Sequence, residues 1–314
     1  MIPPTVLRFA LIATALGSSH PGWAGDPVAD PTPLAQPAPD AAAEWQPRIG
    51  AIFPGYTHQF ETDLDGEDIA FSVDRIRFDT GTRIPFSDAF NLTIGFETEW
   101  SRYDVESPDF SGWAVATEDL FIGRFGGLGN YKLNDTWELT LGGSISWGGD
   151  FDASFSDGLG GNGLFSATYR FSPRFSLSPG VLVLARMEDD ALVVPALGLD
   201  WQINDAWQLR SVGPGAELTW TADGEWMVFL RGLYRPRDIR LAPDAPVRSG
   251  VLRERAFPLT TGVEWTPSPR VTATIFGGVL IGGSLELTES DGKEVFDEDY
   301  DVTPLIGGSL KVLF

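Results

Sequence analysis

Beginning at Phe90, apolar side chains fall on every second residue: Phe90, Leu92, Ile94, Phe96, then Trp100. Asn91, Thr93, Gly95, Glu97 and Glu99 fill the other phase. A period of two sends successive side chains to opposite faces of an extended strand, so this stretch is two-faced β-structure rather than amphipathic helix. The pattern recurs at Trp137, Leu139, Leu141, Ile145 and Trp147, at Val193 to Ile203, and at Trp226, Val228, Leu230, Gly232 and Tyr234. It returns at Leu310, Val312 and Phe314. A chain made of such strands must pair their edges and then find a home for the apolar face.

Two homes exist. Apolar faces can pack against each other, as in a sandwich, or turn outward to lipid. The opposing face carries Glu97, Glu99, Glu138, Arg170, Arg186, Asp200, Glu217, Arg231, Arg235, Glu264, Glu286 and Lys311, with Gly, Ser and Thr between them. A wet barrel interior accepts that mixture. The solvent face of a secreted β-protein accepts it too, and stays open as the alternative. In lipid an unpaired edge has no water to bond, so the sheet has to close. The fold expected is all-β, a closed antiparallel transmembrane β-barrel over residues 49–314.

Turn chemistry sorts the connections. Short ones fall at Phe86-Ser-Asp88, Leu133-Asn-Asp135, Ser172-Pro-Arg174, Ile203-Asn-Asp205, Ala222-Asp-Gly224 and Thr266-Pro-Ser-Pro269. Longer ones span 104–116, 148–162, 237–250 and 289–303. Outer-membrane barrels keep short turns on the periplasmic side and longer loops outside. All six short turns share one side if Val212–Gly215 is itself an outward hairpin, which gives fourteen strands. Keeping 206–221 whole and leaving out the first strand gives twelve, with several short turns on the wrong side. The two strands around Val212–Gly215 are shorter than the roughly 9–11 residues a membrane strand uses. Aromatics flank nearly every short turn: Phe86 and Phe90, Tyr131 and Trp137, Phe171 and Phe175, Trp201 and Trp207, Trp220 and Trp226, and Trp265. Rings with an apolar body favour the headgroup depth, so these positions predict an interfacial girdle.

Residues 1–24 read as an export signal: Arg8, the apolar run Phe9–Gly17, and the small-x-small site Gly22-Trp-Ala24. Residues 25–48, with six prolines, read as an extended periplasmic linker. A net charge of -22 argues against nucleic acid as a partner. The absence of cysteine removes thiol chemistry and Cys-based metal sites.

His58 is the histidine available for a Ser-His pair, yet no G-x-S-x-G elbow accompanies it, so no catalytic residue is assigned and His58 is expected at the rim or in the lumen. The acidic runs Glu61–Asp68 and Glu289–Asp301 present hard oxygen ligands without EF-hand spacing. They predict solvated outer loops that hold divalent cations loosely against lipopolysaccharide, with no dedicated metal site and no cofactor. The arginines say more. Arg231 and Arg235 share the inward phase of one strand, and Arg237, Arg240, Arg248, Arg253 and Arg255 follow. Facing Glu97, Glu99, Glu138 and Asp200 across a lumen, they would set up a transverse field that orients small solutes. The competing reading has the same charges neutralise one another and plug the barrel. Arg253 and Arg255 share phase with the apolar Leu259–Trp265 face, which places them above the lipid zone or behind a bulge at Pro258.

The segment Val193, Pro195, Leu197, Gly198, Leu199, Trp201, followed by Trp207-Gln-Leu209 and Gly213-Pro-Gly215, resembles a family of uncharacterised bacterial outer-membrane β-barrels, porin-like in general class. The likeness continues through Leu233-Tyr-Arg235 and Thr261–Trp265, and the closing aromatic Phe314 is similar to the end of many such barrels. It implies an outer-membrane location, lipid and lipopolysaccharide as surroundings, and passive exchange of small solutes; it transfers no catalytic residue. A structural or surface-interaction barrel with an occluded lumen is the second reading, and an outer-membrane lipid hydrolase the third.

Overall fold

The computed structural model describes residues 48–65, 69–106 and 119–314. The expected signal and all of the linker but Arg48 lie outside them. The strands in chain order are β1 (Arg48–Asp63), β2 (Ala70–Pro85), β3 (Phe90–Glu106), β4 (Asp119–Lys132), β5 (Trp137–Asp150), β6 (Leu159–Ser172), β7 (Phe175–Arg186) and β8 (Asp189–Gln202). There follow β9 (Trp207–Ser211), β10 (Gly215–Thr221), β11 (Trp226–Leu233), β12 (Arg235–Arg240), β13 (Val251–Ser268), β14 (Val271–Thr288), β15 (Glu294–Tyr300) and β16 (Thr303–Leu313). Neighbours pair antiparallel around the sheet, and β1 closes on β16. β11 and β12 run end to end along β13, and β15 and β16 along β14, so sixteen segments make fourteen staves. The twelve-strand alternative falls, because β1 is paired on both edges and the 206–221 segment is a hairpin, with Val212 N bonded to Gly215 O at 3.1 Å.

One local device builds the periplasmic end. Asn134 Oδ1 accepts the backbone N–H of Thr136 and Trp137, at 2.8 and 2.9 Å. Asn204 does the same for Ala206 and Trp207, and Asp223 for Glu225 and Trp226. A side chain that bonds its own backbone two and three residues on closes a tight turn. Each of these turns therefore delivers an aromatic as the first residue of the next strand. The rings meet around the rim: Trp137 and Tyr169 at 4.8 Å, Phe171 and Phe175 at 5.3 Å, Trp226 and Trp265 at 5.9 Å. Outward residues such as Leu141, Ile145, Val193 and Ile275 are exposed apolar surface. A closed barrel with an apolar outer band and an aromatic belt is a protein of the bacterial outer membrane.

The outer end departs from the sequence-based expectation. The segments 237–250 and 289–303 are not simple loops, since β12 and β15 continue the wall within them. The 104–116 connection lies mostly outside the described residues, and 148–162 shrinks to a turn between Asp150 and Leu159. The upper wall also curls inward. Opposite Ala256, β14 carries an extra residue at the register shift between Arg255 and Phe257, where Gly282 has φ +59°. Such a bulge bends a strand and tightens its twist, and glycine accepts the left-handed backbone without steric cost. The bulge thus lies on β14 rather than at Pro258. Above it β12 crosses the barrel and meets β5 from inside, with Arg240 bridged in parallel to Gly149. A Cβ at Gly148 would collide with the Asp238 carbonyl, so glycine there lets the two backbones touch.

Candidate functional site

The inner phase of the wall changes character with height. Near the outer end it is apolar: Phe71 and Val73 from β2, Tyr103 from β3, Leu120 and Ile122 from β4, Ile239 from β12, Leu252 from β13 and Leu285 and Leu287 from β14 form one buried cluster. Inward apolar residues of a wide wet barrel would face water. These are dry because the curled β12–β13 segment brings an opposing surface within packing distance.

A charged knot sits beneath the cluster. Glu254 is fully buried and receives both bonds of one Arg75 nitrogen at 2.7 Å, with Tyr103 Oη donating at 2.6 Å. Arg237 adds a longer contact to Glu254 at 3.4 Å while its Nε donates to Glu99 at 2.5 Å. Arg75 also donates to Gln59 at 2.9 Å. Five staves thus converge on two carboxylates. Burial of an ion pair is tolerated when further hydrogen bonds occupy the remaining donors and lone pairs; both Glu254 oxygens are so occupied, while the buried Arg75 Nε has no partner among the described residues.

Lower down the pairs run along the wall instead of across it. Arg124 and Arg77 flank Glu97 at 3.1 and 3.3 Å, Arg170 meets Glu138 at 3.0 Å, and Arg210 meets Glu217 at 2.7 Å. Arg231 shares Glu217 from the adjoining strand. Here Arg170 and Arg231 keep water, at 42% and 35% exposed against 6% for Arg75, and Arg210 is the most enclosed of the set at 17%. The lower half is a hydrated vestibule facing the periplasm, and the upper half is a dry plug.

All six residues singled out in the sequence point inward. Glu97, Glu99 and Glu138 pair as above, and Asp200 accepts from Gln208 Nε2 at 2.9 Å. Arg231 and Arg235 do not reach across to Glu97, Glu99 or Glu138; Arg231 bonds its neighbour Glu217, and the arginine that spans the lumen to Glu99 is Arg237. Among the described residues Arg235 makes no ion pair, although it sits in the fields of Glu97, Glu99, Arg77 and Arg237. Sequence reasoning passed over Arg75, Tyr103 and Glu254. Their inner phase was legible, but their meeting depends on the inward curl. Arg253 and Arg255 do not lie behind a bulge of their own strand, since the extra residue is on β14. Their face looks into the barrel, where Arg253 bonds Glu286 at 2.7 Å and the Met187 carbonyl.

His58 is not a lumen residue. It faces outward from β1, its Nδ1 bonded to Asp74 at 2.8 Å, with Tyr56 Oη on the same carboxylate at 2.5 Å. An outward polar trio needs a polar surround, which matches the outer headgroup layer. Among the described residues no group of three or more His, Asp or Glu side chains is placed to hold a metal ion.

No family model matches this chain, and no curated protein does. Among solved structures it is similar to an outer membrane channel from Pseudomonas putida F1 at 8% identity and TM-score 0.49, covering 87% of this chain and 99% of that one. It is also similar to the Pseudomonas putida toluene transporter TodX, at 9% and 0.44 over 86% and 90% of the two chains. With KdgM porin the figures are 9% and 0.33, over 83% and 99%.

Proposed function

Taking the chain as a porin-like β-barrel of the bacterial outer membrane, we propose that it is a passive channel for small solutes, with the hydrated vestibule as its conducting chamber. The observation that carries this reading is the contrast in water access between Arg170 or Arg231 and Arg75. A barrel that served as an inert wall plug would have no use for a vestibule lined with half-exposed guanidiniums. Of the residues singled out in the sequence, Arg231, Arg235, Glu97, Glu138 and Asp200 are the proposed solute-facing set, while Glu99 is taken up by Arg237 in the buried knot. Arg235 contributes most to selectivity, because its charge is not neutralised by direct pairing. The acidic outer loops, in this reading, hold divalent cations between the barrel and lipopolysaccharide.

Single-channel recording in a planar bilayer, with refolded protein and a KCl gradient, tests the proposal. Small, stable conductance is expected, since the plug narrows the outer half. Arg231→Ala with Arg235→Ala should move the reversal potential toward cation selectivity. The dry plug also favours a second reading, an occluded barrel that acts through its outer surface. Folded, heat-modifiable protein without openings would establish that reading in place of the first.

A further inference from the structure

Above the β9–β10 hairpin the barrel wall has a gap. β8 pairs with β9 only from Asp200 to Gln202, and β10 pairs with β11 only as far as Gly215 with Leu233. Over Val193–Gly198, β8 has no partner on that side among the described residues; β12, facing it, has none until Arg240 meets Gly149. The hairpin cannot fill the gap. β9 has 5 residues, about 17 Å of strand before tilt, against an apolar band about 25 Å tall.

Open edges in lipid leave backbone donors unsatisfied and invite the two edges to zip together. Both edges here carry a proline where that matters. Leu199 N donates to Ser211 Oγ at 3.0 Å on the β9 side, and backbone direction alternates along a strand, so Val193, Pro195 and Leu197 face the gap. Across from them Tyr234 N donates to Pro214 O at 3.0 Å, which turns Pro236 toward the gap as well. Pro195 and Pro236 each remove the donor that could pair there, and Pro214 forms the sill.

Behind the gap lies an apolar space. Leu164, Leu182, Leu184 and Leu192 point inward from β6, β7 and β8 yet remain partly exposed, unlike the buried apolar residues of the plug. Its roof is latched: Arg240 donates to Glu188 at 2.5 Å and to the Asp157 carbonyl at 3.0 Å, and Arg253 holds the Met187 carbonyl. Downward the same inner faces turn polar through Ser166, Thr168 and Ser178 to Arg170 and Asp200. With the roof tied down and the plug dry, the side is the way in.

We propose that this gap is a lateral port through which small apolar molecules dissolved in the outer leaflet pass into the barrel and on to the vestibule. The proposal rests on the channel reading and names its substrate class. The test uses the full refolded protein in liposomes that contain a diazirine-bearing alkane, with photolabelled residues mapped by mass spectrometry. Label is expected on inward Leu182, Leu184 and Leu192 as well as on outward Val193. Ala196→Trp should fill the port and abolish the inward label while Val193 stays labelled; Leu192→Trp serves if that variant fails to fold. Label confined to outward residues, or inward label unchanged in a folded Trp variant, would overturn the port. KCl conductance on the same preparation separates the two ideas. Conductance without inward label rejects the port and leaves the channel. Inward label lost in the Trp variant, without conductance, supports the port and removes the ion-conducting channel.

Discussion

The two halves of this barrel use one chemistry to opposite ends. Both are lined by Arg–carboxylate pairs on the inner phase of β-strands. In the upper half the pairs bridge across the lumen and are buried, as at Arg75–Glu254 and Arg237–Glu99. In the lower half they link neighbouring strands and keep the guanidinium partly in water, as at Arg170 beside Glu138. What differs is the surface opposite. β12 and β13 curl in above the Gly282 bulge and supply a second wall, and that wall turns an aqueous lining into a core. Residue type alone does not decide whether a barrel interior conducts; the distance to the facing wall does.

The largest expected effect comes from breaking one partner of the dry knot. Glu254→Ala would leave Arg75 buried without its carboxylate, and such losses cost about 3–5 kcal/mol. The midpoint of urea-induced unfolding in lipid should fall accordingly, and the KCl conductance of the remaining folded protein should rise. Replacing both charges, Arg75→Met with Glu254→Leu, should recover most of the stability, because a buried pair exchanged for apolar side chains of similar size is often near neutral. Equal destabilisation by the single and the double variant would show that the knot is not the dry pair described.

Next in size is the seam between β12 and β5. Gly148→Val places side-chain atoms where the Asp238 carbonyl lies, so β12 must withdraw from the wall. Overpacking of this kind costs roughly 1–3 kcal/mol. The expected signature is a moderate loss of stability with a larger gain in conductance. Unchanged conductance would mean that the plug holds without the seam.

These two halves were unequally legible. Strand alternation gave the inner and outer phases, and the Asn and Asp turns with their trailing aromatics gave the periplasmic rim, because both are local properties of the chain. The strands around Val212–Gly215 stood out as somewhat shorter than the roughly 9–11 residues of a membrane strand, which is the trace of the gap beside β8. The plug left no such mark. Glu254 meets Arg75 across 179 positions of sequence, by way of a bulge and a glycine contact that only the folded wall defines. Likewise the arginine facing Glu99 turned out to be Arg237, two residues past Arg235 on the same inward phase: phase was readable and height was not.

The smallest expected effect completes the comparison. Arg170→Ala removes a pair of the same residue types as Arg75–Glu254, but its guanidinium is 42% exposed where that of Arg75 is 6%. Ion pairs that retain solvent contribute about 0–1 kcal/mol, and salt at 1 M shortens the Debye length to about 3 Å. The variant should therefore unfold close to the parent, with any difference fading in high salt. The Glu254→Ala deficit should persist at the same salt, since ions do not enter the knot. A salt-insensitive Arg170→Ala deficit as large as that of Glu254→Ala would mean that the lower half is as dry as the upper. The vestibule would then be lost, and with it the physical ground for a channel.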